Sequence, residues 1–418
     1  MAEIPQIESP TLKAIYIAYE AAEDKEQRGY LGMSTMGTEC DRQLWYGFRW
    51  ANVPEVLDGR KLRLFQTGHR EEARMIQDLK NAGLTIEEVN PETGQQFALA
   101  AEGGHFRGHM DGRAYGVLEA PKARHVVECK THNEKSFKAL LKDGIEKSKP
   151  GHFAQMQLYM HFDGTERALY IAHNKNTDEL HLERVHYDAE KALRFVSRAD
   201  RIVNAPRPPT KLHEDPSAKM AWQCNYCPAK AICHDGQFAR THCRTCLHST
   251  PVAGGWHCER HNRPLSIDDQ KAGCASHLYI PDLVPGEQTD ASEEAETVTY
   301  KLKSGDTWKD GPDTPKVREV AAVQSSPAID SITYSEDVEN TKNILAFIGG
   351  EWPKCDVCGG EGEYETEYGS KACNSCVSRL LPIPTKDGIS WIDYGDTITR
   401  HADGSLTTTD NKWGNRKS

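Results

Sequence analysis

No stretch of the chain approaches 18 consecutive apolar residues, so hydropathy offers no membrane-spanning helix. The start, Met1-Ala2-Glu3-Ile4-Pro5, lacks a basic segment followed by an apolar one, which leaves no secretory signal and makes a cytoplasmic protein the expectation. There is no Gly-x-x-x-x-Gly-Lys-Ser/Thr phosphate loop, which excludes a P-loop motor within these residues, and no internal repeat. A positive net charge is missing too: the 418 residues sum to -11. That deficit is local. Residues 281–418 carry 14 basic and 25 acidic side chains, while residues 1–280 carry 37 of each. Within the neutral part, residues 121–150 hold eight lysines and arginines against four acids, a local excess suited to phosphate contacts. The hydrophobic share of 38% is enough for a globular protein with a sizeable core.

What the chain does have is cysteine, 13 in all. In a reducing compartment this number points to metal ligation rather than disulfides. Three groups of four account for twelve of them. The first, Cys224-x2-Cys227-x5-Cys233, needs a fourth ligand from Cys40 or Cys129; Cys40 fits better, because Cys129 on its strand points away from its neighbours. Four thiolates without a histidine suit an iron-sulfur cluster or zinc. The second is Cys243-x2-Cys246-x11-Cys258-x15-Cys274, for which Zn2+ is expected, with His242, His248, His257, His261 and His277 as alternatives to Cys274. The third, Cys355-x2-Cys358-x14-Cys373-x2-Cys376, has zinc-ribbon spacing and is expected to hold a second, structural Zn2+.

Glu128-Cys129-Lys130 closes the strand-like run from His125, 17 positions after Asp111. Side chains alternate along a strand, so Glu128 and Lys130 share a face and can converge with Asp111 from a neighbouring strand. Two carboxylates beside a lysine are a site for a hard divalent cation, Mg2+ or Mn2+, and a bound water. The surrounding periodicity predicts helices over 11–27, 34–49 and 61–80, strands over 96–99, 105–115 and 124–131, then a helix over 152–162, strands over 168–173 and 180–186, and a helix over 189–203. This order gives an α/β layer with a mixed sheet flanked by helices. An acidic linker is expected over 282–297, followed by an acidic, β-rich region over 298–418 that carries the zinc ribbon (355–376).

These residues together resemble the iron-sulfur subgroup of the RecB-type PD-(D/E)XK nucleases, similar to the CRISPR-associated spacer-acquisition nuclease and the AddB nuclease domain. The matching positions are Ser34, Cys40 and Arg42 of a Ser-x5-Cys-x-Arg helix, Asp111, Glu128 and Lys130, a Gln-x-x-x-Tyr pair at Gln155 and Tyr159, and Cys224, Cys227 and Cys233. The resemblance covers residues 30–235 and implies a restriction-endonuclease-like nuclease domain over 1–238; the second cysteine group places a zinc-binding module after it, over 239–281. It further implies a 4Fe-4S cluster on Cys40, Cys224, Cys227 and Cys233. It adds an early-helix metal ligand, Glu72 in Gly68-His69-Arg70-Glu71-Glu72 with His69 as substitute, the Cys129 carbonyl as a further ligand, and DNA contacts from Gln155 and Tyr159. The activity implied is metal-dependent DNA hydrolysis, exonucleolytic in the first instance, in recombination, repair or replication. A helicase, single-strand-binding or recombinase protein would act in trans. Met110 departs from the family pattern where its proline is expected. The alternative is a non-catalytic DNA-binding or adaptor protein built on the same fold.

Overall fold

The computed structural model describes residues 9–23 and 27–312, together with the backbone of strands between 328 and 409. It divides into two units, Met1–Thr314 and Pro315–Ser418.

In the first unit, α1 (Pro10–Ala22) is followed by the short β1 (Leu31–Gly32), α2 (Asp41–Phe48) and α3 (Gly59–Asn81). Next come β2 (Thr85–Glu87), β3 (Ala98–Ala101), β4 (Phe106–His109), β5 (Gly112–Tyr115) and β6 (His125–His132). Then α4 (Glu134–Ser148) and α5 (Pro150–Asp163) lead to β7 (Arg167–Asn174), β8 (Leu180–His186) and α6 (Ala189–Asn204). The central sheet runs β2-β5-β6-β7-β8, with β6 and β7 parallel and the other pairs antiparallel. A parallel pair needs a crossover, and α4 with α5 supplies it. A second, three-stranded sheet runs β1-β4-β3.

The period of two along β6 decides what each face does. Val127 and Cys129 join Met75, Ile76 and Leu79 of α3 with Leu169 and Ile171 of β7 in one apolar cluster. This leaves Glu128, Lys130 and His132 on the opposite face. α5 is buried without interruption from Phe153 to Met160, which is why it shows almost no amphipathic stripe.

Several expectations change. The strand expected over 105–115 is two strands in different sheets, broken at Met110-Asp111. The helix expected over 34–49 begins only at Asp41, after a 3-10 turn over Met33–Thr35. Between the two, Gly37 packs directly on the α5 N-terminus, where a Cβ would lie 2.2 Å from the Gly151 Cα. α4 was not distinguished in the sequence, and it is kinked at Gly144 (φ 70°). The segment expected as an acidic linker, 282–297, instead forms β12 (Gly286–Ser292), paired antiparallel with a later strand over Thr297–Leu302. Its acidic side chains line an exposed hairpin, whose composition resembles that of a linker.

Before that hairpin, α7 (Trp222–Asn225) and α8 (Lys230–Cys233) are single turns, and β9 (Ser249–Val252), β10 (Gly255–Cys258) and β11 (Arg263–Leu265) make a small antiparallel sheet followed by α9 (Ile267–Ala272). After it, β13 (Thr297–Leu302) also pairs with β14 (Thr307–Asp310). The described parts of the second unit are strands, Leu381–Thr385 and Gly388–Ile392 among them. Cys355, Cys358, Cys373 and Cys376 of the expected ribbon lie outside the residues whose side chains are described. Among the described residues no helix is long and apolar enough to cross a membrane.

Candidate active site

Asp111 sits at the break between β4 and β5, where the ladder with β6 ends at the Gly112 to Val127 pair. Its Oδ2 accepts from the Cys129 N–H at 2.8 Å. The carboxylate therefore replaces the next ladder acceptor and is fixed beside β6. Met110, fully buried, donates its N–H to the Phe97 carbonyl at 3.1 Å. Proline has no such donor, so methionine at position 110 supports the local fold.

Glu128 is 0% exposed and forms an ion pair with Lys130 through Oε1, while its Oε2 is buried without a hydrogen-bond partner. Burial pushes its carboxyl up to about 8, against the opposing pull of Lys130. Burial also raises Asp111, with Lys130 and the Cys129 N–H working the other way. Glu72, on α3, is raised by burial and then by Asp111, and feels Lys130 and His69. For Lys130 burial disfavours the charge, but Glu128 and Asp111 outweigh it and hold its pKa above the ordinary value. Burial keeps the Cys129 thiol protonated on the far, apolar face.

α5 closes the site from the other side. Gln155 Nε2 donates to Tyr159 Oη at 2.9 Å, and the buried Tyr159 lies within electrostatic reach of Glu128, Lys130 and Asp111. Gly108 admits this approach, since a Cβ there would stand 2.5 Å from the Tyr159 ring. The structure thus gathers Glu72, Asp111, Glu128, Lys130 and Tyr159 into one electrostatic cluster, with His69 in reach of the first two.

A neighbouring network escaped sequence reading. Tyr170 on β7 is in register with Glu128. Its Oη lies 2.8 Å from both His132 Nε2 and His152 Nδ1, and His132 Nδ1 lies 2.9 Å from Ser136 Oγ. Burial first, then nearby lysines, pushes His132 down to about 4 and His152 down to about 3. The one available signal was parity, since His132 shares its strand face with Glu128 and Lys130.

Cys40 caps α2, its Sγ accepting from the Gln43 N–H at 3.4 Å. Cys227 feels Cys40, Cys233 and Cys224 together, so the four thiols are drawn from opposite ends of the domain into one neighbourhood. Arg42 fixes that junction by donating to Tyr46 Oη at 2.9 Å and to the Pro209 carbonyl at 2.8 Å. Cys243, Cys246, Cys258 and Cys274 line one common space. Among the described residues no three or more His, Cys, Asp or Glu side chains are already arranged as a ligand cage. The donor chemistry nonetheless differs between the two places: carboxylates dominate around Glu128, with His69 in reach of Glu72 and Asp111, whereas Cys40, Cys224 and Cys233 gather around Cys227.

No family model matches the chain, and no curated protein matches it. Among solved structures, it is similar to the alkaline exonuclease LHK-Exo from Laribacter hongkongensis, with TM-score 0.32 and 15% identity over 44% of this chain and 90% of that one. The same enzyme in complex with dAMP gives TM-score 0.30 and 13% identity over 46% and 90%. A third structure, SSO0001, gives TM-score 0.29 and 15% identity over 54% and 97%. At these TM-scores the likeness adds nothing to the reading of the site, which rests on the chain's own residues.

Proposed function

We propose that residues 30–235 form a divalent-metal-dependent deoxyribonuclease that leaves 5'-phosphate and 3'-hydroxyl ends. The observation that carries this reading is Glu128: a wholly buried carboxylate with one oxygen on Lys130 and the other without a partner, in electrostatic reach of Asp111 and Glu72. A buried, unpaired carboxylate oxygen is costly unless something cationic completes it. Glu72, Asp111, Glu128 and the Cys129 carbonyl would hold Mg2+ or Mn2+, with His69 the substitute for Glu72. When bound, such a cation lowers the pKa of a water ligand and neutralises charge on the scissile phosphate.

The chain's own groups do the rest. Lys130, kept protonated by Glu128 and Asp111, donates hydrogen bonds to the attacking water and to the phosphoryl oxygens as charge builds on them. Tyr159, oriented by Gln155, presents a neutral phenol to the same space and positions the DNA backbone. Cys40, Cys224, Cys227 and Cys233 would carry a 4Fe-4S cluster that ties α2 to the turns after α6 and has no part in bond cleavage. A cytoplasmic setting and a motor or recombinase in trans complete the reading. It is tested by incubating end-labelled single- and double-stranded DNA with the full chain and Mg2+ or Mn2+. Cleavage that Lys130→Ala abolishes supports it, and equal cleavage by Lys130→Ala overturns the assignment.

A further inference from the structure

Two arginines are buried against the second cysteine group without a carboxylate to neutralise them. Arg49, at the end of α2, is 3% exposed, and Arg244, between Cys243 and Cys246, is 1% exposed. All their acceptors are neutral. Arg49 Nη1 donates to the carbonyls of Arg244 at 3.2 Å and Ser249 at 3.1 Å. Arg244 donates from Nη1 to the Phe48 carbonyl and from Nε to Gln270 Oε1, both at 2.9 Å. Aromatic faces sandwich them: Arg244 lies 3.7 Å from the Trp50 ring centre and Arg49 lies 4.9 Å from that of Trp256. Two other arginines of this module have their own acids, Arg260 with Glu296 and Arg263 with Asp269.

A guanidinium stays charged in a protein, and burying one without an anion costs several kcal/mol. The missing anion has a natural place. Ser249, whose carbonyl holds Arg49, pairs with Cys258 across β9 and β10. Arg244 lies between two of the cysteines that line the common space, and Cys246 lies within electrostatic reach of Arg49. Three of the four thiols, Cys243, Cys246 and Cys258, are buried there, and Cys274 is exposed at its mouth.

We propose that Cys243, Cys246, Cys258 and Cys274 bind one Zn2+ as a tetrathiolate, and that the resulting charge of -2 is the counter-ion of Arg49 and Arg244, locking the module onto α2. Each thiol gives its proton to solvent as its sulfur takes a coordination position, so four negative charges meet a dication. His248, His261 and His277 line the same space; His261 Nε2 lies 3.8 Å from Cys274 Sγ, and His277 Nε2 lies 3.3 Å from Thr245 Oγ1. A histidine in place of any one thiolate would leave -1 and one arginine unmatched. Charge therefore selects four cysteines where spacing left the choice open. The site is independent of the nuclease reading.

The test is zinc content and zinc affinity of the full chain, the latter by competition with a chromophoric chelator. Wild type should carry one zinc more than Cys258→Ser, while His248→Ala, His261→Ala and His277→Gln should keep it. Arg49→Gln and Arg244→Gln should each weaken zinc binding at least tenfold, and Arg49→Lys, which keeps the charge, should recover most of that loss. Zinc content unchanged in Cys258→Ser, or lost in a histidine variant, overturns the ligand set. A folded Arg49→Gln with wild-type affinity overturns the role of the arginines. Should the arginine variants fail to fold, Cys274→His decides, since it keeps a ligand at an exposed position but removes one negative charge. A loss of at least tenfold supports the proposal and an unchanged affinity overturns it.

Discussion

Acidification should destabilise this protein through the buried imidazoles under its candidate active site. His132 is 3% exposed, and burial pushes its pKa down to about 4 from an ordinary 6.5. As pH falls through 6.5 the unfolded imidazole takes up a proton and the native one does not, so the unfolded state binds more protons and stability falls with pH. At about 1.4 kcal/mol for each pH unit, the interval from 6.5 to 5.0 removes about 2 kcal/mol through His132 alone. His152, half-buried and pushed down to about 3, adds about 1 kcal/mol once solvent screening is allowed for. The assay is urea unfolding of wild type and His132→Gln at pH 7.5 and 5.0. The substitution loses hydrogen bonds to Tyr170 and Ser136 and should cost about 1 to 3 kcal/mol at pH 7.5. That cost should shrink by about 2 kcal/mol at pH 5.0, where the wild-type imidazole has become a liability. Comparing the two proteins cancels acid effects on the thiols and carboxylates, which both share. Equal losses in the two proteins, or a wild type that gains stability on acidification, would refute the reasoning.

Other perturbations read other parts of the structure. Asp163, with a side chain 0% exposed, accepts from Arg113 Nε at 2.9 Å and also pairs with Arg124. Asp163→Asn should cost about 2 to 3 kcal/mol in urea unfolding, the partial exposure of both arginines moderating the loss. Cys40→Ser should remove the broad visible absorption and the iron from anaerobically purified protein, whereas a colourless, iron-free wild type would rule the cluster out. Truncation after Thr314 should leave a folded first unit with the wild-type melting temperature. Truncation after Pro281 should not, because it removes Asp310, whose Oδ2 accepts from the Tyr279 N–H at 2.6 Å, and Trp308, whose ring packs 5.1 Å from Phe238. Indistinguishable melting of the two truncations would show that β12, β13 and β14 contribute nothing to the first unit.

The α/β order of elements was legible because apolar spacing changes period where the chain changes from helix to strand. The long helix expected over 61–80 lies at Gly59–Asn81, and the strand carrying Glu128 and Lys130 begins and ends within one residue of its expected bounds. Alternation alone separated Cys129 from its neighbours, and Cys129 does lie in the apolar cluster under α3. The break at Asp111 was not legible, since Gly108 to Tyr115 continues as plausible strand. It arises because Cys129 N–H is claimed by a side chain instead of a backbone carbonyl. α4 was obscured by its lysines and by Gly144. The hairpin at 286–302 was hidden because exposed β-strands and solvated linkers draw on the same polar residues. Arg49 and Arg244 were the least legible of all: a basic residue in sequence reads as surface, and only the packing of Trp50 and Trp256 around them shows otherwise.

The central claim is that Asp111, Glu128 and Lys130 form one hydrolytic site for DNA. Its most direct test is Mg2+- or Mn2+-dependent cleavage of end-labelled DNA by wild type, Asp111→Ala, Glu128→Ala and Lys130→Ala, with DNA binding of each measured in parallel. Removing a metal ligand or the cation beside the nucleophile should lower cleavage by at least about 100-fold in every variant, while binding changes by less than about tenfold because it rests on many phosphate contacts. Cleavage at the wild-type rate by a folded Lys130→Ala protein, or cleavage without any divalent cation, would contradict it.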